Sequence, residues 1–428
     1  MNLFRSLTEK RWYRWLVIGL CFLMIFITLG FCSTNKGLYL AAITDALKIK
    51  RSLFSLGDSL RYITSCIVNI FFGALVAKFG TKKLIFVGFC LLILTMVCYI
   101  TTDSVIGFWI GGVLLGAGLS FTTTAMVGCI VNRWCRSSKG TIMGAVLAAN
   151  GVGGALAAQI VVPIIYREGD PFGYRKAYTL VIVLLAATVT LIMLFYRENP
   201  PESLLNEPLS DPQKRGSDRE GISFETAIRR PYFYGAGICV FLSGMVLQAV
   251  TVAAAAHMRD SGIDADYISL VISIHSLALS AFKFGAGLLY DRVGLRKTLN
   301  ICYVAAVFMM LLLASVNGST AGRISAMAYG IISSVALPLE TIMLPLLTSG
   351  LYGQKSFNRL LGVTVSINTA GYAVGAPLLN FTFDLFGSYT PMLYIFGGIM
   401  VVVMIAIQFV LRAAKADEEV KPQEQEKA

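Results

Sequence analysis

The chain has 428 residues, of which 56% are hydrophobic and only 14% charged, and its mean hydropathy is +0.71. A soluble domain carries about a quarter charged residues, so this composition excludes an ordinary water-soluble fold. The formal net charge of +12 fits basic loops and contact with anionic lipid better than it fits nucleic-acid binding.

Long apolar runs recur along the whole chain. A bilayer crossing takes about 20 such residues, because every backbone amide in the hydrocarbon must be paired within its own helix. In chain order the predicted spans are 15–41, 54–77, 84–101, 106–131, 141–164, 178–195, 232–256, 267–290, 298–316, 323–346, 359–381 and 389–411. The predicted fold class is an all-α membrane protein of twelve transmembrane helices.

A repeated segment indicates two pseudo-symmetric halves. The stretch from Gly73 to Lys83 recurs from Gly287 to Lys297, and 287 − 73 = 214 residues is half of the chain. The predicted domains are an N-terminal six-helix half at 1–196 and a C-terminal six-helix half at 231–411. Between them, 197–230 is rich in proline and charge and reads as a cytoplasmic linker, and the charged tail 412–428 is predicted to be disordered.

Most of the 36 Lys and Arg residues fall in loops on one side of the predicted spans. That side is the cytoplasm by the positive-inside rule, so both termini are expected there, with a cell membrane as the location. The nine cysteines have no metal-ligand spacing. We expect no metal, no cofactor and no enzymatic activity, because phosphate-binding loops and nucleophile motifs are also missing from the sequence.

Lys283 lies seven residues before the end of the eighth predicted span, about 10 Å into it. A charge near the bilayer centre costs about 2.5–3.5 kcal/mol, so an ionisable group there is a candidate for function. Its ammonium is predicted to bind an anionic substrate group, and the alternative is a structural partner for a carboxylate such as Glu340.

Two further cations lie within predicted spans of the first half. Lys36 follows a polar, small-residue stretch in the first span, and Arg61 lies in the second. Both are predicted to line an outer vestibule that binds the substrate. The alternative for Arg61 is an (i, i+3) ion pair with Asp58.

His275 and Glu340 are the remaining titratable candidates of the second half. His275 lies eight residues before Lys283 on nearly the same helix face. It is predicted to belong to the substrate-binding residues, where it could accept a proton near neutral pH, and the alternative is a structural histidine. Glu340, in the tenth span, is either a proton-coupling site or the counter-ion of Lys283.

The repeated segment resembles the loop motif of the major facilitator superfamily, which joins the second and third helices of each half. The resemblance implies a gating loop at each copy. The matching residues are Gly73, Gly80 and Lys82 in the first copy and Gly287, Asp291, Arg292, Gly294 and Arg296 in the second. The acid of the motif is present as Asp291 but is replaced by Ala77 in the first copy.

A narrower resemblance points to the monocarboxylate porters and the oxalate:formate antiporter group. In that group an Arg precedes the first motif glycine by four residues, and Lys283 holds that position before Gly287. Lys36 similarly resembles a Lys in the first helix of the porters, whereas Leu279 replaces an acid that they carry. The resemblance implies a monomeric secondary transporter that moves a small carboxylate by alternating access, as a symporter or an antiporter, with a possible coupling proton.

Three alternatives stay open at this stage. A sugar or nucleoside porter would use neutral polar residues within spans, namely Asn69, Gln159, Gln248 and Asn368. A drug or cation antiporter would need an Arg in the fourth span, where Gly112 stands. A membrane receptor with the same fold would bind its ligand without moving it.

Overall fold

The computed structural model describes residues 12–34, 39, 42–43, 46–49, 51–135, 138–165, 170–200 and 221–425. Over these ranges all regular structure is helical. The chain forms two compact units, Met1–Lys214 and Arg215–Ala428. The division between the units falls inside the predicted linker 197–230.

The N-terminal unit contains six α-helices in its described part. They are α1 Trp12–Ile25, α2 Arg51–Thr101, α3 Val105–Ser120, α4 Thr124–Trp134, α5 Lys139–Ile165 and α6 Gly173–Phe195. A π-helical segment, Phe26–Thr34, continues α1. Helix α2 breaks at Gly80, whose φ of 78° and ψ of 164° lie outside the helical region.

The C-terminal unit begins with a helical turn and continues with seven longer helices. They are α7 Phe224–Ala227, α8 Pro231–Asp260, α9 Ala265–Val293, α10 Leu295–Ala314, α11 Thr320–Ala336, α12 Met343–Tyr352, α13 Phe357–Phe386 and α14 Thr390–Gln425. A single 3₁₀ turn, Leu337–Glu340, separates α11 from α12.

The helices account for twelve membrane spans in the described residues. Ten segments are long and apolar enough to cross a bilayer, and one of them, Leu56–Thr101, has 46 residues and divides at Gly80. Helix α13, with 30 residues, is also long enough. Large apolar side chains such as Leu194 and Leu277 are exposed on these helices, as lipid-facing residues must be. The predicted all-α fold of twelve spans is confirmed.

Short polar side chains fix where several of the helices begin. The Ser104 hydroxyl accepts a hydrogen bond from the Ile106 amide, and the Asp264 carboxylate accepts one from Tyr267. Ser319 does the same for Gly322. Each cap satisfies an amide that the first helical turn leaves unpaired, which defines the end of the span.

The last helix extends into the segment that was predicted as a charged tail. Helix α14 continues past Arg412 to Gln425, where the sequence predicts disorder. The segment contains Ala413, Ala414 and Ala416, and alanine is the strongest helix former. Asp417 also forms an ion pair with Arg230 at 2.9 Å. The start of this segment is therefore held to the C-terminal unit by an ion pair.

Candidate substrate site in the C-terminal unit

Lys283 is buried within α9, with only 5% of its surface exposed. The helix carries it in the middle of an apolar sequence, between Ala281-Phe282 and Phe284-Gly285. Glu340 is close enough to Lys283 for their opposite charges to attract each other. The structure therefore brings together the two ionisable residues that the sequence singled out in this unit, although it gives no direct hydrogen bond between them in its described part.

Glu340 lies at an interruption in the tenth predicted span. Pro338 lacks an amide proton and cannot continue α11, so the chain forms the 3₁₀ turn before α12 begins at Met343. Two polar oxygens at this break, Glu340 Oε1 and Thr341 Oγ1, are buried and have no hydrogen-bond partner in the described structure. Buried polar atoms are normally paired, so both atoms are candidates to face a ligand.

Tyr372 is a site residue that the sequence did not reveal. Its hydroxyl hydrogen-bonds the Glu340 carboxylate from α13. Glycine brings α13 close to α8: a Cβ added to Gly375 would lie 2.0 Å from the Met245 carbonyl oxygen. Tyrosines are common in this chain, and without knowledge of this helix packing nothing marks Tyr372 as different.

His275 is anchored to the neighbouring helix α11. Its Nδ1 atom lies 3.0 Å from the Gly330 carbonyl oxygen, 2.9 Å from Ser333 Oγ and 3.3 Å from Ser334 Oγ. Since a carbonyl oxygen only accepts, this contact favours a proton on Nδ1 and leaves Nε2 free to accept one. These contacts are of the kind that a structural histidine makes, while the free Nε2 is compatible with the alternative of a proton acceptor.

Arg61 is almost fully buried and held by its own unit. Its Nη1 donates to Ser33 Oγ at 2.8 Å, its Nε lies 3.5 Å from Asp58, and its guanidinium lies 4.3 Å from the centre of the Tyr62 ring. The (i, i+3) pair with Asp58 is therefore present. Lys36, the other predicted vestibule cation, lies outside the described residues.

The two predicted gating loops have the same backbone conformation at their central glycines. Gly80 has a φ of 78° and a ψ of 164°, and Gly294 a φ of 81° and a ψ of 171°, a region that essentially only glycine adopts. Gly73 and Gly287 are buried where each loop begins, and Lys82 is half-buried. Asp291 is half-buried, whereas Arg292 and Arg296 are exposed. Arg296 Nε donates to Gln408 Oε1 at 2.6 Å.

A carboxylate from the predicted linker reaches the first loop, where the motif acid is missing. Glu198 Oε1 accepts a hydrogen bond from the Thr81 amide at 2.8 Å. Arg133 Nη1 lies 3.4 Å from the same oxygen and donates to the Glu198 carbonyl at 3.2 Å. Glu198 thus places a negative charge beside Gly80, although Ala77 holds the usual position of the acid. Sequence reasoning missed this contact because Glu198 is 117 residues from Thr81.

No group of three or more His, Cys, Asp or Glu residues in the described ranges could hold a metal ion. The nine cysteines all lie in described residues and none of them forms a disulfide, and six of them are buried. The candidate site therefore rests on Lys283, Glu340 and Tyr372, whereas other buried polar side chains of this unit, such as Ser243 and Asn368, donate to backbone carbonyls.

Comparison with protein families decides the membership of the chain. The model of the Major Facilitator Superfamily matches residues 20–251 and again 236–428. The chain belongs to this superfamily. The resemblance drawn from the repeated loop is confirmed, and the protein is a multi-pass membrane transporter.

Individual relatives share little sequence identity with this chain. Monocarboxylate transporter 13 from Bos taurus is 25% identical over 332 residues, which is 76% of this chain and 73% of that protein. The transporter FucP in its outward conformation has a TM-score of 0.71 at 16% identity, over 93% of this chain and 99% of that one. The human organic anion transporter MFSD10 has a TM-score of 0.67 at 12% identity, over 93% and 99%. At these identities the two structures show a shared fold and nothing more.

Proposed function

We propose that this major facilitator transporter moves a small organic anion, with a single carboxylate, across a cell membrane by alternating access. The observation that carries the proposal is Lys283, a buried cation in a membrane-spanning helix that faces a partly unpaired carboxylate, Glu340. A lysine ammonium is a compact point charge with three donors, which suits one carboxylate oxygen better than a planar, bidentate group. The 25% identity to a bovine monocarboxylate transporter supports the same substrate class.

The substrate and Glu340 compete for Lys283 in this mechanism. Before binding, the opposite charges of Lys283 and Glu340 compensate each other within the span. A substrate carboxylate on Lys283 leaves Glu340 as an uncompensated buried charge, at a cost of about 3–5 kcal/mol. Protonation of Glu340 removes that cost. We therefore propose that one proton accompanies each anion and that the coupled transport is electroneutral.

Transport measurements in proteoliposomes test this proposal. We expect uptake of ¹⁴C-labelled acetate, lactate or pyruvate to be driven by an inward proton gradient. Lys283→Met should lower uptake about 100-fold or more, because it removes the ammonium group that binds the anion. Lys283→Arg keeps the positive charge and should retain part of the uptake. Glu340→Gln should bind the anion but lose the response to the proton gradient.

The control for these variants is Lys355→Met, which makes the same chemical change at an exposed turn position outside both loop motifs and should transport normally. A double variant, Lys283→Met with Glu340→Gln, removes both charges and separates loss of function from loss of folding. The proposal is wrong if folded Lys283→Met transports carboxylates at the wild-type rate. It is also wrong if thermal unfolding shows stabilisation by sugars, nucleosides or amines and by no carboxylate.

A further inference from the structure

Helices α10 and α14 of the C-terminal unit pack side by side in opposite directions. A Cβ added to Gly397 would lie 3.7 Å from Met310 Cβ. Eleven residues later in α14, Gln408 Nε2 donates to Asn300 Oδ1 of α10 at 2.6 Å. Residue numbers thus fall along α10 as they rise along α14. The start of α10 and the segment of α14 after Gln408 therefore lie at the same end of this helix pair.

Each of the two helices has an exposed apolar stripe. Residues three or four apart lie on one face of a helix, and the large exposed apolar side chains follow this spacing. They are Ile301, Val304 and Phe308 on α10 and Val402, Ile405 and Phe409 on α14. Both helices belong to segments that are long and apolar enough to cross a bilayer. We therefore expect lipid acyl chains to lie against these stripes.

Both stripes end in cations at the same end of the helix pair. Lys297 lies one turn before the stripe of α10, and Arg412 one turn after the stripe of α14. Arg296 adjoins Lys297, and Arg292 lies in the last turn of α9, just before α10. All four side chains are exposed. Cations directly beyond an apolar stripe are placed to reach the lipid headgroups.

These four cations form no ion pair with an acid in the part of the chain that the structure describes. Arg412 lies 6.0 Å from the centre of the Phe409 ring. Asp417, the first acid after Arg412 in α14, pairs with Arg230 at 2.9 Å. Even when the acid of the same loop, Asp291, is counted, the surface keeps an excess of positive charge. Such a surface attracts anionic lipid.

Neighbouring side chains orient the guanidinium of Arg296. Its Nε donates to Gln408 Oε1 at 2.6 Å, and Gln408 donates in turn to Asn300 at 2.6 Å. The two Nη groups have no partner in the described structure, and the side chain is exposed. A guanidinium fork binds phosphate oxygens through parallel hydrogen bonds. The two hydrogen bonds that link α10 to α14 thus hold Arg296 ready for a phosphate group, unlike a mobile surface cation.

We propose that the α10–α14 surface, formed by the four cations and the two apolar stripes, binds one anionic phospholipid. Arg296 and Arg412 bind the phosphate group, and the acyl chains lie along the stripes. A soluble phosphate compound would leave the stripes unused, and the choline group of a zwitterionic lipid would meet an excess of positive charge. The inference does not rest on the proposed anion transport, because Lys283, Glu340 and Tyr372 take no part in it.

Thermal unfolding of the purified full-length protein in dodecyl maltoside tests the proposal. The probes are phosphatidylglycerol, phosphatidylcholine with the same acyl chains, and glycerol 3-phosphate, which has the anionic group without acyl chains. We expect a saturable rise of the Tm with phosphatidylglycerol, a clearly smaller one with phosphatidylcholine and none with glycerol 3-phosphate. Added sodium chloride should weaken the binding of phosphatidylglycerol, because salt screens the attraction between exposed charges.

Two variants locate the effect. Arg296→Gln combined with Arg412→Gln should weaken phosphatidylglycerol binding about tenfold or more, because each cation near a membrane surface adds to the attraction. Gln408→Leu keeps every charge but releases the Arg296 guanidinium, and it should weaken binding about threefold.

The control is Lys78→Gln combined with Lys83→Gln. It removes the same amount of charge at exposed positions of the first loop and should bind phosphatidylglycerol like the wild type. Four results would each overturn the proposal: no saturable shift with phosphatidylglycerol, an equal shift with phosphatidylcholine or glycerol 3-phosphate, full binding by the folded double arginine variant, or an equal loss of binding in the control.

Discussion

Gly80 and Gly294 have nearly the same backbone conformation at equivalent places in the two units, but their surroundings differ. A Cβ added to Gly80 would lie 2.4 Å from Glu198 Oε1, whereas a Cβ on Gly294 would have no described atom within 4 Å. The first loop lacks the motif acid and has the linker carboxylate against it, while the second has Asp291 within the motif. Two copies of a loop can therefore share one backbone conformation while the acid near the central glycine comes from different segments of the chain.

The largest difference in stability between the two loops should come from substitution of Gly80 and of Gly294 by alanine. Each substitution forces a side chain into a backbone region that costs about 1–3 kcal/mol. At Gly80 the new Cβ must also displace Glu198 from its hydrogen bond to Thr81. We therefore expect Gly80→Ala to lower the Tm in detergent clearly more than Gly294→Ala does. Equal losses would mean that Glu198 does not matter to the first loop.

A smaller loss should follow from Glu198→Gln. The variant weakens a cap on the helix that starts at Thr81 and removes the charge partner of Arg133, together about 0.5–2 kcal/mol. Glu225→Gln is the matched control, because Glu225 pairs with Arg359 at 3.0 Å with both side chains more than half exposed. Solvent screens an exposed pair, so the thermal shift of the control should be smaller.

A variant that restores the motif acid in the first loop tests whether Glu198 takes the place of that acid. Ala77 is exposed, so Ala77→Asp should change the stability of the wild type little. In the Glu198→Gln background it should recover part of the lost Tm, because it supplies a negative charge to the same loop. A further loss of stability in that background would show that the two acids are not interchangeable.

The smallest loss of stability is expected for a substitution in the second loop. Arg296→Lys removes the Nε donor that Gln408 accepts, while Gln408 keeps its bond to Asn300 at 2.6 Å. The side chain is exposed, so the loss of stability should stay below about 1 kcal/mol. A decrease as large as that of Gly80→Ala, measured by the same thermal unfolding, would contradict the view that this loop tolerates change.

The sequence predicted what depends on local pattern and missed what depends on packing between distant segments. Apolar runs predicted the spans, and a repeat of two loops predicted Gly80 and Gly294 as equivalent. The spacing of Asp58 and Arg61 suggested their pair as an alternative. By contrast, Glu198 and Tyr372 reach their partners from far along the chain, and no local signal distinguishes them from other Glu and Tyr residues.

The break between α11 and α12 also affects the field around Glu340. Helix α12 begins at Met343, three residues after Glu340, and a helix start carries about half a positive elementary charge. An uninterrupted span would leave its ends at the two membrane surfaces. Here one such positive pole lies next to an acid within the span. The broken span thus brings backbone partial charges of both signs near this carboxylate, the negative end of α11 at Ala336 and the positive end of α12 at Met343, and no side-chain substitution at position 283 removes either.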